Sequence, residues 1–101
     1  MAICSISVVP VGTGSTSVSS YVARCHEMLR ETKGIKYQLT PMATILEGDL
    51  SRILEVVADI HRIPFAEGAK RVLTTVIIDD RADKQLTMDG KTESVEKKLG
   101  V

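Results

Sequence analysis

Tryptophan and asparagine are absent from the 101 residues, and only three side chains are aromatic: Tyr21, Tyr37 and Phe65. Single-stranded nucleic acids and RNA loops are held by stacking on aromatic platforms, and phosphate contacts require a basic excess. Here 13 basic residues balance 13 acidic ones, interspersed along the chain, for a net charge of zero. Nucleic-acid binding is disfavoured on both counts. No apolar run approaches the roughly 20 residues of a membrane helix, so no membrane partner is expected. The first ten residues lack the basic start of a signal peptide and read as a strand. Cysteine is scarce too. With no export signal, Cys4 and Cys25 are read as reduced thiols of a cytoplasmic protein.

What is present is ordinary globular material. Hydrophobic residues make up 44% of the chain, enough for a packed core. The length fits a single domain over residues 1–101, and a domain of this size buries about 65% of its unfolded surface.

Residues 2–9 alternate with a period of two. Cys4, Ile6 and Val8 fall on one side, and Ile3, Ser5, Ser7 and Val9 on the other. Pro10 cannot donate to a ladder, so the strand is expected to end there. Residues 11–17 run Val-Gly-Thr-Gly-Ser-Thr-Ser, a loop composition rich in local side-chain bonds to the backbone. Val18, Tyr21, Val22, Cys25, Met28 and Leu29 then recur at helical spacing, with Arg24, His26, Glu27, Arg30 and Glu31 on or towards the other face. Ser15, Thr16 or Ser17 is the expected cap, and Gly34 sits where a C-terminal glycine belongs.

Residues 35–40 and 42–47 read as two strands broken near Pro41, a connection short enough to require antiparallel neighbours. Asp49 is placed to cap a second helix whose stripe is Leu50, Ile53, Leu54, Val57 and Ile60. Pro64 should end or kink that helix near Ile63. Residues 71–78 form the last clear strand, 79–90 a polar and charged tail, and 92–99 a short closing helix.

The order βαββαβ, with right-handed crossovers, predicts an α+β domain of the ferredoxin-like type. Its four-stranded antiparallel sheet carries two helices on one face, and a short C-terminal helix follows. The opposite face is expected to be bare, with Ile3, Ser5, Ser7, Val9, Leu73, Thr75 and Ile77 on it. Apolar surface of that extent favours self-association, sheet against sheet. Its serines and threonines would then lie near a subunit interface.

The reactive side chains form no recognisable constellation. Cys4 and Cys25 are far apart in sequence and each falls on an apolar face, which indicates core packing rather than a metal site. Cys25 and His26 are helix neighbours and point in different directions. His61, at the edge of the second stripe, reads as a packed or capping histidine. The glycine-containing loop before the first helix lacks the Lys and the spacing of a Walker loop. Asp79, Asp80, Arg81, Asp83 and Lys84 read as an ion-pair turn, without EF-hand spacing. No triad spacing is present. Acylphosphatase chemistry on this fold needs an asparagine, and its copper-chaperone version a C-x-x-C pair. Neither is in the sequence.

Three segments together carry a resemblance. They are residues 9–22, including Pro10, Gly12, Gly14, Ser15 and Tyr21; residues 37–48, from Tyr37-Gln38-Leu39-Thr40-Pro41 to Glu47-Gly48; and residues 71–81, from Arg71-Val72-Leu73 to Asp79-Asp80-Arg81. With these, the chain resembles the small thiamine-binding protein family from about residue 3 to residue 99. The resemblance implies a ferredoxin-like fold, a homo-tetramer built as a dimer of dimers, and thiamine or a related pyrimidine such as hydroxymethylpyrimidine as ligand. Thiamine carries a fixed positive charge and an aminopyrimidine, so its pocket needs a counter-charge, hydroxyls and an apolar or aromatic wall. Glu47 is the candidate counter-charge. Ser5, Ser7, Thr40, Thr44 and Thr75 are the candidate hydrogen-bonding groups, and Tyr37 is the one sheet aromatic. Each is equally suited to a structural place in its strand.

The expectation is therefore a cytoplasmic, non-enzymatic carrier or sensor of thiamine or hydroxymethylpyrimidine, without a cofactor, assembled through its open sheet face. A regulatory or scaffold module that binds a protein partner through that face is the alternative. An enzyme of vitamin metabolism ranks last, because no activated acid, base or nucleophile is apparent.

Overall fold

A computed structural model describes residues 1–100. The first strand, β1 (Ala2–Val11), leads into α1 (Ser19–Glu31), then β2 (Lys36–Leu39), β3 (Thr44–Gly48), α2 (Leu50–Ala66), β4 (Arg71–Asp80) and α3 (Met88–Leu99). The four strands form one antiparallel sheet in the order β2-β3-β1-β4. This is the ferredoxin-like arrangement.

Register assigns the faces, because directly opposed residues in an antiparallel pair share one. Cys4 opposes Leu46 and Ile78, and Leu46 opposes Tyr37. That row faces α1 and α2. There Ala2, Cys4, Ile6 and Leu46 join Cys25 and Leu29 of α1 and Ile53, Val56 and Ile60 of α2 in the main core. Ile3 opposes Glu47 and Asp79, Ser5 opposes Ile45 and Ile77, and Ser7 opposes Thr75. That row lies on the reverse face.

The reverse face is not wholly bare, contrary to expectation. Leu86 and Met88 pack on Ile3 and against Ile45, forming a second small core beneath the start of α3. The polar tail read over residues 79–90 hid these two apolar anchors, and α3 starts four residues earlier than its sequence pattern. Thr87 caps it, its Oγ1 accepting from the Gly90 amide at 2.9 Å. Lys36 of β2 pairs with Asp89, and Lys91 with Asp79 of β4, bracketing the helix start. Leu73 and Ile77 stay exposed, at 61% and 65%. The apolar surface left on this face is thus a strip along β4, with Val9 and Val11 of β1 beside it. Replacing Thr87 with alanine is expected to cost about 1 kcal/mol in a urea titration, the usual worth of an N-cap hydroxyl.

Other boundaries moved for local reasons. β1 continues through Pro10, which pairs with Val72. β3 stops at Thr44 opposite Ile6, so this end of β1 has a neighbour on one side only, a position that tolerates a missing N–H. Ser15, Thr16 and Ser17 do not cap α1. Its N-cap is Val18, without a side-chain bond, and the hydroxyls of Thr13 and Ser15 accept instead from the Ser15 and Ser17 amides within the loop. Asp49 stands at the N-cap of α2 but makes no capping bond. Pro64 does not end α2, which runs on to Ala66. Gly48 is the last residue of β3. A Cβ there would lie 2.7 Å from Ile35 Cδ1 and 3.0 Å from the Gly34 carbonyl oxygen, so glycine permits this close approach of the β2 approach segment to β3.

Candidate functional site

The β2-β3 connection is short, and β1 extends well beyond β3. The sheet therefore has a notch on its helix side, between the outer part of β1, residues 39–44 and the first turns of α1. A cleft of about 880 Å³ fills the notch. Its floor is Ile6, Val8 and Ile60. Val18, Tyr21, Val22 and Cys25 of the α1 region form one wall, and Leu39, Pro41, Met42 and Ala43 the other. Met42 is 87% exposed at its edge. An exposed methionine beside an apolar cleft is adaptable contact surface rather than core.

Few polar side chains enter this apolar setting. Ser17 and Ser19 border the cleft at the start of α1, Thr40 and Thr44 border it from the β2-β3 turn, and His26 from α1. Thr40 Oγ1 donates to the Ala43 carbonyl at 2.7 Å and accepts from the Ala43 amide at 3.1 Å, which locks the turn. His26 Nε2 lies 3.1 Å from Thr44 Oγ1, and its ring meets Tyr37 edge-on with centroids 5.5 Å apart. Burial holds the His26 imidazole below its ordinary value. Burial also pushes the Cys25 thiol up, so that sulfur stays uncharged at neutral pH and serves as apolar wall. Among the described residues, no Asp, Glu, Lys or Arg lines the cleft.

The seven residues singled out from the sequence separate on folding. Thr40 and Thr44 meet at the cleft, and Tyr37 supports it from behind His26. Ser7 borders it from β1, although its Cα pairs with Thr75 in the reverse-face row. Ser5 and Thr75 lie in that same reverse-face row and do not line the cleft. Glu47 also lies on the reverse face. It is 4% exposed, pairs across the sheet with Ile3 and Lys36, and does not line the cleft. One missed residue is His26, which the helical pattern puts towards the outer face. Its spacing offered a signal: it stands four residues after Val22, at the border of the apolar stripe. His61, the other histidine, binds Thr74 through Nδ1 at 2.7 Å and packs on Phe65, as a packed histidine should.

Uncharged walls, a few hydroxyls and one imidazole equip the cleft to hold a small, largely apolar molecule. Pockets of roughly 300–1,000 Å³ with sparse, convergent polar groups are the usual form of a small-molecule site. No helix of the described residues is long and apolar enough to cross a membrane.

The chain is similar to known proteins both in sequence and in fold. A UPF0045 protein from Staphylococcus xylosus is 50% identical over 102 residues, covering 98% of this chain and 95% of its own. The YqgV protein of Bacillus subtilis is 48% identical, with 98% of both chains covered. Among solved structures, a hypothetical protein of Methanocaldococcus jannaschii superposes with a TM-score of 0.84 at 31% identity, covering 95% of this chain and 96% of its own. A candidate thiamine biosynthesis/salvage protein of Thermotoga maritima gives 0.76 at 26% identity, covering 93% and 97%. The family model described as thiamine-binding protein matches residues 4–96, which takes in both the notch in the sheet and the helix beside it. By this match and by identity along nearly its whole length, the chain belongs to the thiamine-binding protein family.

Proposed function

We propose that the chain is a non-enzymatic binding protein for thiamine or its hydroxymethylpyrimidine part, acting as a cytoplasmic carrier or sensor. The observation that carries this reading is the cleft between α1 and the β2-β3 turn: about 880 Å³, apolar in its walls, with Thr40, Thr44 and His26 as polar contacts. An aminopyrimidine ring suits such a place, since its faces need apolar contact and its edge needs donors and acceptors. In this reading Thr40 and Thr44 contact ligand and Tyr37 steadies His26. Ser5, Thr75 and Glu47 act on the reverse face, where the strip of Val9, Leu73 and Ile77 packs against a second copy in a homo-tetramer. The family's description and the thiamine role ascribed to the Thermotoga maritima protein support this choice of ligand.

Calorimetric titration with thiamine, its phosphates and hydroxymethylpyrimidine, with light scattering on the same sample, tests it. Saturable heat at one site per subunit, from a particle four chains in mass, is the expected result. Absence of heat at millimolar ligand from folded protein overturns the binding reading.

The alternative module that binds a partner protein has its own observation: Leu73 and Ile77 are 61% and 65% exposed, side by side with β1 valines. A monomeric particle that captures one defined partner through β4, and ignores every thiamine compound, would establish it.

A further inference from the structure

The cleft wall contains one side chain that changes charge near neutral pH. Cys25 also borders it, but a thiol raised by burial stays neutral there. Among the described residues no carboxylate enters the lining to balance a positive charge, whether on the protein or on a ligand. We propose that His26 sets the charge preference of this cleft: its neutral imidazole admits a heteroaromatic cation, and its protonated form expels one. The proposal rests on the reading of the cleft as a ligand site and adds the residue that governs what the site accepts.

Among the described residues, the side chains that the neighbouring elements turn towards His26 are uncharged. The helix-facing rows of β2 and β3 present Tyr37, Leu39, Thr44 and Leu46, while Lys36 and Glu47 are turned to the reverse face. β1 contributes Ile6, and α2 contributes Ile60 to the cleft. The charged groups of α1 nearest in sequence, Glu27 and Arg30, are exposed. The Arg24–Glu67 pair at 3.4 Å joins α1 to the end of α2 on the protein's outside. Among the described residues, the side chain hydrogen-bonded to His26 is that of Thr44, whose Oγ1 can accept from Nε2 and cannot neutralise a proton there. Burial is accordingly the cause of its depressed pKa. In so apolar a setting, two like charges within one cleft repel strongly.

The sign follows from linkage. Above the His26 pKa the ring is neutral and a cation binds fully. As pH falls through that lowered value, cation affinity falls by up to about tenfold per pH unit, the limit for one proton released on binding. Binding is reciprocal, so a bound cation must depress the His26 pKa further.

The test measures calorimetric affinity for thiamine and for hydroxymethylpyrimidine between pH 5 and 8, in the intact protein and in His26→Gln. The two ligands share the aminopyrimidine, so protonation of the ligand itself appears in both curves. Only thiamine carries the fixed charge. The expected result is a steep acid loss for thiamine, a shallow one for hydroxymethylpyrimidine, and convergence of the two slopes in His26→Gln. The His26 ring-proton titration, assigned in NMR spectra by its absence from the variant, should move to lower pH on saturation with thiamine. Equal slopes for both ligands in the intact protein, or a His26 titration that thiamine leaves unmoved, would overturn the charge preference and leave the ligand site standing. Failure of both ligands to bind at any pH would overturn the site and this inference together.

Discussion

Leu46→Ala is expected to destabilise the protein by about 3 kcal/mol, within the range for leucine truncation in a closed core. Leu46 is fully buried in β3, the strand between β2 and β1, opposite both Cys4 and Tyr37 and beneath α1 and α2. A domain of this length has about 5–15 kcal/mol of total stability, so the loss is a large share of it. Urea unfolding should show a midpoint lowered in that proportion with an unchanged slope. A cost under about 1 kcal/mol would mean that the sheet and helices do not close over this residue. In an assembled tetramer the comparison must be made at fixed protein concentration, since association adds to apparent stability.

The second large effect separates the two faces of the sheet. Thr44→Val keeps the side-chain shape and removes the hydroxyl that lies 3.1 Å from His26 Nε2 and borders the cleft. Ligand affinity should fall about tenfold, the upper end of the net worth of one neutral hydrogen bond. Thr75→Val makes the same chemical change on the reverse face, opposite Ser7, and should alter ligand affinity less than about twofold. Calorimetry on the pair reads the difference directly. The reverse pattern, with Thr75→Val damaging and Thr44→Val silent, would move the site to the reverse face and restore Glu47 as its counter-charge.

Much of the fold was legible because it depends on short-range periodicity. The two-residue alternation of Cys4, Ile6 and Val8 and the helical recurrence of Cys25 and Leu29 are properties of single elements. The residues they mark are buried or half-buried in the structure. Errors of extent came where local signals compete with tertiary contacts. Pro10 looks like a strand end until β1 is seen to run along one neighbour only. Of the two outcomes Pro64 allows, an end or a kink, the end does not occur, since α2 passes through it to Ala66. Leu86 and Met88 look like isolated apolar residues in a charged tail until Ile3 and Ile45 provide their partners.

The candidate site was less legible, since it depends on which residues meet. Composition alone established a balanced charge and scarce aromatics. Alternation correctly divided β1 and β4 into two faces. Both faces of β3, however, carry apolar and polar residues: Thr44 and Leu46 on one, Ile45 and Glu47 on the other. Only pairing with β1 decides which face meets the helices, because a one-residue slip in register exchanges the two sets. That pairing sends Glu47 away from the cleft and brings Thr44 to His26, which is eighteen residues earlier in the chain. The sequence by itself determined the elements, their order and the apolar faces of β1, β4, α1 and α2, since those follow from backbone geometry and local spacing. Tertiary structure alone decided the notch beside the short β2-β3 turn, the uncharged lining of the cleft and the place of His26 in it. Each of these depends on contacts between segments that no local pattern specifies.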